Sequence, residues 1–163
     1  MKRMAVVFAL LVAAALPASA HADAQGLLPP GSVTLNSPNG SVNNPWVFFH
    51  STITGTTLPG DPNNLTVSYV RFWIDVPQAQ RDNPQPYGGC TSSPSTCQFM
   101  GTDREAEQAT LGAVSYSLSN KYQGPRGRHV ATVQAWRDTS FDVAPVFMGQ
   151  ASNNICLQGC RGG

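Results

Sequence analysis

The chain carries little charge. Lys and Arg number 10 against 9 Asp and Glu, charged residues make up 12% of the chain, and the formal net charge is +1. With neither sign in excess, nucleic acid and anionic membranes have no electrostatic claim as partners. Long apolar runs are also scarce. Beyond the first twenty residues none is long enough to cross a bilayer, so no integral membrane segment is expected in the mature chain. There is no internal repeat and no low-complexity tract. No G-x-S-x-G elbow and no H-E-x-x-H motif occurs. Histidine is limited to His21, His50 and His129, which leaves few candidates for a general base.

What is present begins with a leader. Lys2 and Arg3 precede an apolar run from Met4 to Leu16, and Pro17-Ala18-Ser19-Ala20 follows. Charge, then apolar residues, then small residues is the order of a secretory signal. We expect residues 1–20 to be cleaved after Ala20, with Ala24 as the alternative, and a secreted or periplasmic location. Disulfides persist in such compartments. The cysteines are Cys90, Cys97, Cys156 and Cys160. Four thiols allow three pairings. Closeness in sequence, with Pro94 and Gly159 able to turn the chain, favours Cys90–Cys97 and Cys156–Cys160. Their spacings do not match zinc knuckles, and no histidine lies near either pair. No metal or cofactor is expected.

Residues 21–31 read as an irregular lead-in. Short β-type runs separated by Gly, Pro and Asn clusters then fill the chain, which indicates an all-β sandwich or barrel. The runs are Ser32–Ser37, Trp46–Gly55, Leu65–Val76, Leu111–Ser119, Gly127–Arg137 and Asn153–Leu157. Thr102–Ala109 reads as one or two turns of helix, with Thr102 and Glu105 in capping-box spacing. In the third run, alternation puts Val70, Phe72, Ile74 and Val76 on one face and Tyr69, Arg71, Trp73 and Asp75 on the other. The first set is purely apolar and is assigned to the core. Ala131, Val133 and Ala135 of the fifth run share a face, with Val130, Thr132, Gln134 and Trp136 opposite. Val47, Phe49, Ile53, Val114, Tyr116 and Leu118 complete the expected core.

Two segments resemble bacterial immunoglobulin-like (Ig-like) domains. Val70-Arg71-Phe72-Trp73-Ile74-Asp75 is similar to their V-x-F-Y-V-D-G stretch. Gly127-Arg128-His129-Val130-Ala131-Thr132-Val133-Gln134-Ala135-Trp136-Arg137-Asp138 is similar to their later G-x-H-T-L-T-A-x-A-Y-D stretch. Val33 to Gly40 resembles their first strand and turn, and Ser152 to Leu157 sits where they place a closing strand. The resemblance implies a single Ig-like β-sandwich over residues 32–158, with a short tail at 159–163. Val76 stands where the family has Gly. Residues 77–110, which hold Cys90 and Cys97, form a longer connection than such domains need. Domains of this kind serve adhesion, spacing and binding rather than one chemistry.

In that fold the third and fifth runs are neighbours in one sheet. Tyr69, Arg71, Trp73, Gln134 and Trp136 then share an outer face, the first candidate for binding a protein or glycan partner. The competing expectation is that residues 77–110 fold over this face and bury it. A calcium reading draws on Asp138 and Asp142, or on Asp61, Asn63 and Asn64, but neither loop supplies the six to eight oxygens that calcium needs. For catalysis, Glu105 and Glu107 would point to different sides of a helix. His129 sits at the family's His position, where a structural role is expected. Asn64-Leu65-Thr66 fits the glycosylation sequon and reads as a turn entering a strand. The expected function is a non-catalytic binding or adhesion module. Alternatives are a carbohydrate-binding module, which requires accessible Trp73 and Trp136, and a small secreted hydrolase or enzyme inhibitor. A hydrolase requires His50 or His129 beside a carboxylate in a cleft.

Overall fold

A computed structural model of the chain describes residues 32–54, 67–90, 96–110, 112–139 and 143–160. The leader, the lead-in at 21–31, the Asp61/Asn63/Asn64 turn, the sequon, Asp142 and the end of the tail lie outside the described residues. Nine strands and one short helix are described: β1 (Ser32–Ser37), β2 (Gly40–Val42), β3 (Trp46–Thr54), β4 (Tyr69–Ile74), α1 (Gln78–Asp82), β5 (Gln98–Asp103), β6 (Gln108–Thr110), β7 (Ala113–Lys121), β8 (Gly127–Arg137) and β9 (Val146–Leu157).

The strands form two sheets. One has the order β1-β3-β7-β6 and the other β2-β9-β8-β4-β5. All pairings are antiparallel except β2 with β9. The expected all-β class is therefore what the structure has. Period-two alternation explains the packing. In β3, Val47, Phe49, Ser51 and Ile53 are buried, and the residues between them are exposed or half-buried. Val70, Phe72 and Ile74 of β4 and Ala131, Val133 and Ala135 of β8 meet this face in one cluster. Phe49 and Phe72, one from each sheet, have ring centroids 5.0 Å apart. The expected core set sits in this cluster, Leu118 at its half-buried edge and Val76 buried beside it.

The two expected disulfides are formed, Cys90–Cys97 and Cys156–Cys160. Gly101 serves close approach. It takes a φ of +143°, and a Cβ there would lie 2.7 Å from Leu118 Cδ2. It stands opposite Phe72, beside the bulge at Phe72/Trp73.

The helix expected over Thr102–Ala109 is absent. Thr102 belongs to β5, and β6 begins at Gln108. Asp103 Oδ1 accepts the Glu105 backbone N–H at 2.9 Å, and its Oδ2 accepts that of Ser117 at 2.9 Å. Side-chain turn bonds and strand pairing outweigh the propensity of so short a segment. The one described helix is α1, which follows Pro77 and consists of Gln-Ala-Gln-Arg-Asp. Pro is tolerated at a helix start because its missing N–H has no helical partner there.

Removing the Phe72 ring leaves a cavity between the sheets. Phe72→Ala is expected to cost about 3–5 kcal/mol in urea unfolding. A loss below about 1 kcal/mol would contradict the core described here. Burial also raises the phenol pKa of two core tyrosines. Tyr116 is pushed up to about 12 by burial and then by the charge of Asp103; Tyr122 reaches about 12 by burial and then by Asp75. A raised folded-state pKa contributes stability that is complete below pH 10 and is lost as pH rises toward 12. Phenolate absorbance of these two residues should therefore appear together with unfolding, above the ordinary tyrosine range. Their ionisation near pH 10 in folded protein would refute this.

Candidate functional site

β4 and β8 carry the expected binding residues. The register sets Tyr69 opposite Trp136, Arg71 opposite Gln134 and Trp73 opposite Thr132. All five candidates thus share one face, as alternation requires. That face is not open. Trp73, Trp136 and Gln134 are fully buried, Tyr69 is nearly so, and Arg71 is half-buried. The accessible aromatic platform expected from the sequence is corrected accordingly: the competing expectation of a cover describes the structure. The chain from Pro77 to Cys90 lies across these residues.

The cover is held by polar bonds. Arg71 Nη1 donates to Pro86 O at 2.5 Å, and Nη2 to Gly88 O at 3.1 Å. Gln134 Nε2 donates to Gln80 O at 3.3 Å, and Gln150 Nε2 to Arg81 O at 2.8 Å. Within the cover, Gln80 Nε2 donates to Gln85 O at 2.8 Å, and Arg81 bonds to Gln78 Oε1. Gly88 packs so tightly on Gln80 that a Cβ there would lie 2.2 Å from the Gln80 amide. The Arg71 guanidinium also lies 4.7 Å from the Trp73 ring centroid and 4.8 Å from that of Phe99. Burial lowers the Arg71 pKa, and the neighbouring Tyr69 opposes this. Burial and then Asp138 raise the Tyr69 pKa, and Arg71 and Arg104 lower it.

At the start of the cover, Asp75 takes a left-handed φ of 48°. Asp tolerates this conformation where a branched residue would not. Its Oδ1 accepts the Val130 N–H at 2.7 Å, and its Oδ2 lies 2.6 Å from His129 Nδ1. His129 Nε2 lies 2.9 Å from Pro125 O. Asp75 and His129 line a cleft of about 620 Å³ with Ser41, Arg128 and the Cys156–Cys160 disulfide. A histidine beside a carboxylate in a cleft is therefore present. Both ring nitrogens, however, face oxygens of the protein, so neither is directed at a nucleophile. His50 Nδ1 lies 3.3 Å from Asn36 Nδ2.

The other candidates are placed as follows. Asp138 pairs with Arg104 at 2.7 Å, an exposed contact. Glu107 Oε2 accepts from Ser117 Oγ at 2.7 Å. No group of three or more His, Cys, Asp or Glu suited to a metal ion occurs among the described residues.

Sequence reasoning missed Trp46 and Phe48. Both lie on β3, two residues apart, on the outer side of the four-stranded sheet, 54% and 53% exposed. Phe48 pairs with Ser119 and His50 with Ser117, so the rings are flanked by small hydroxyl residues. Assigning Val47, Phe49 and Ile53 inward was signal enough to turn Trp46 and Phe48 outward.

Comparison with protein families, with characterised proteins and with solved structures finds no match to this chain.

Asp75→Ala should leave the Val130 N–H and His129 without their partner. Each buried polar group so orphaned costs about 1–3 kcal/mol. Asp75→Asn, which retains an acceptor oxygen and tolerates the φ, should lose less. Equal stability of Asp75→Ala and the parent in urea unfolding would show that this carboxylate does not fasten the turn.

Proposed function

We propose that the chain is an exported, non-catalytic binding module on an Ig-like β-sandwich. Strand order supports the fold. β1-β3-β7-β6 and β9-β8-β4-β5 follow the two-sheet order of that architecture, with β2 crossing to pair beside β9. Two disulfides and the leader pattern at residues 1–20 support export. The engaged nitrogens of His129 support a role without catalysis.

The observation that carries the binding assignment is the exposed Trp46/Phe48 pair. Large half-exposed rings on a hydroxyl-rich sheet face offer contact area with few rotors to freeze. The preferred ligand is an apolar patch on a partner protein. Carbohydrate is the second reading. On this face it rests on Trp46 and Phe48 beside Ser117 and Ser119, which combine stacking surface with hydrogen-bonding groups.

Selection on a displayed peptide library, alongside a glycan array, tests both readings. Ligands of the parent should bind Trp46→Ala/Phe48→Ala at least tenfold more weakly, about 1.4 kcal/mol or more. The thermal midpoint should stay close to the parent's, because the truncated rings are exposed. Ligands that bind the double variant as well as the parent would remove this face from the account. Loss confined to array glycans would select the carbohydrate reading.

A further inference from the structure

The covered face of the five-stranded sheet holds an unusual group of atoms. Trp73 Nε1, Trp136 Nε1 and Gln134 Oε1 are buried and have no hydrogen-bond partner among the described residues. Buried polar atoms are nearly always satisfied, so three orphans on one face call for an explanation. The cover above them is equally unusual. Of residues 77–90 only Gln80 is buried, while Ala79 and Tyr87 are exposed. The tryptophans meet the Phe99 and Phe147 rings, while the cover itself contributes one buried side chain, that of Gln80. The roof is attached to the sheet by Arg71, Gln134 and Gln150 donating to its carbonyls. It pairs with no strand and is tied at its ends, by the Asp75 turn and by the Cys90–Cys97 disulfide. Segments held by few apolar contacts are those that open locally.

We infer that residues Pro77–Cys90 form a strap that lifts to admit a saccharide ring bearing a carboxylate. Lifting the strap frees both donor arms of Arg71 from Pro86 O and Gly88 O. The uncovered face then offers a guanidinium fork, two indole N–H groups and the Gln134 amide, set among flat rings. The strand residues beneath the strap include no carboxylate to compete for Arg71, and Asp138 at the rim is already paired with Arg104. A guanidinium fork matches a carboxylate with two parallel bonds. Indole and phenol rings receive the C–H face of a sugar, and the N–H groups and Gln134 Oε1 meet its hydroxyls. This site lies on the sheet opposite Trp46 and Phe48, so its failure leaves the proposed contact face standing, and the reverse also holds.

Two measurements on the whole protein test the inference. The first is NMR exchange of the Trp73 and Trp136 indole N–H groups. They should exchange faster than the β8 core amides of Ala131 and Val133, and faster still in Gln80→Ala, which removes the buried roof side chain. The second is titration with a trimer of galacturonic acid and, in parallel, a neutral galactose trimer. Because a closed strap reduces apparent affinity by the open fraction, Gln80→Ala should bind the acidic trimer roughly tenfold more tightly than the parent. Arg71→Gln should also speed indole exchange, yet lose that binding. Indole exchange occurring only through global unfolding would overturn the strap. Gln80→Ala opening faster without tighter binding, or the neutral trimer binding as well as the acidic one, would overturn the ligand assignment.

Discussion

β4 and β8 are apolar or aromatic on both faces, and the rest of the molecule answers to that. Val70, Phe72 and Ile74 with Ala131, Val133 and Ala135 press against the four-stranded sheet. Tyr69, Trp73 and Trp136 project the other way and would otherwise stand in water. A sheet buried on two sides needs a second layer on each, as parallel sheets obtain from their helices. Here one layer is the other sheet and the second is a single pass of chain, Pro77 to Cys90.

That pass is short of apolar side chains, so it is held by directed bonds. Arg71 grips two of its carbonyls, while glutamines from β8 and β9 grip two more. Asp75 sets its entry by taking a left-handed turn and bonding Val130, and a disulfide fixes its exit. The same residues that suggest a binding platform from the sequence therefore act as fasteners of a cover. Two large rings that do stand in water, Trp46 and Phe48, lie on the other sheet, where β3 turns them outward.

Much of this was legible in the sequence. The alternation of Val70 to Ile74 and of Ala131 to Ala135 named the core, because a period of two leaves no choice once one face is apolar. Proximity named both disulfides. For Tyr69, Trp73 and Trp136 the sequence left an open platform and a cover as competing readings. Alternation put them outward correctly, but what lies over an outward face is a tertiary matter. A cover made of Pro, Gln, Asn and Gly carries no periodic signal. The displaced helix has a similar cause. Thr102–Glu105 has capping spacing, but Asp103 bonds two backbone N–H groups in a non-helical turn. β9 begins at Val146 instead of Asn153 because pairing with β8 extends a strand through mixed residues that alternation alone does not mark.

Oxidative footprinting by hydroxyl radicals, read residue by residue, reports directly on which aromatic rings meet water. In folded protein Trp46 and Phe48 should be modified rapidly, while Trp73 and Trp136 should be modified far more slowly. Modification of Trp73 or Trp136 at the rate of Trp46 would mean that the second face is uncovered and that the layered arrangement is wrong.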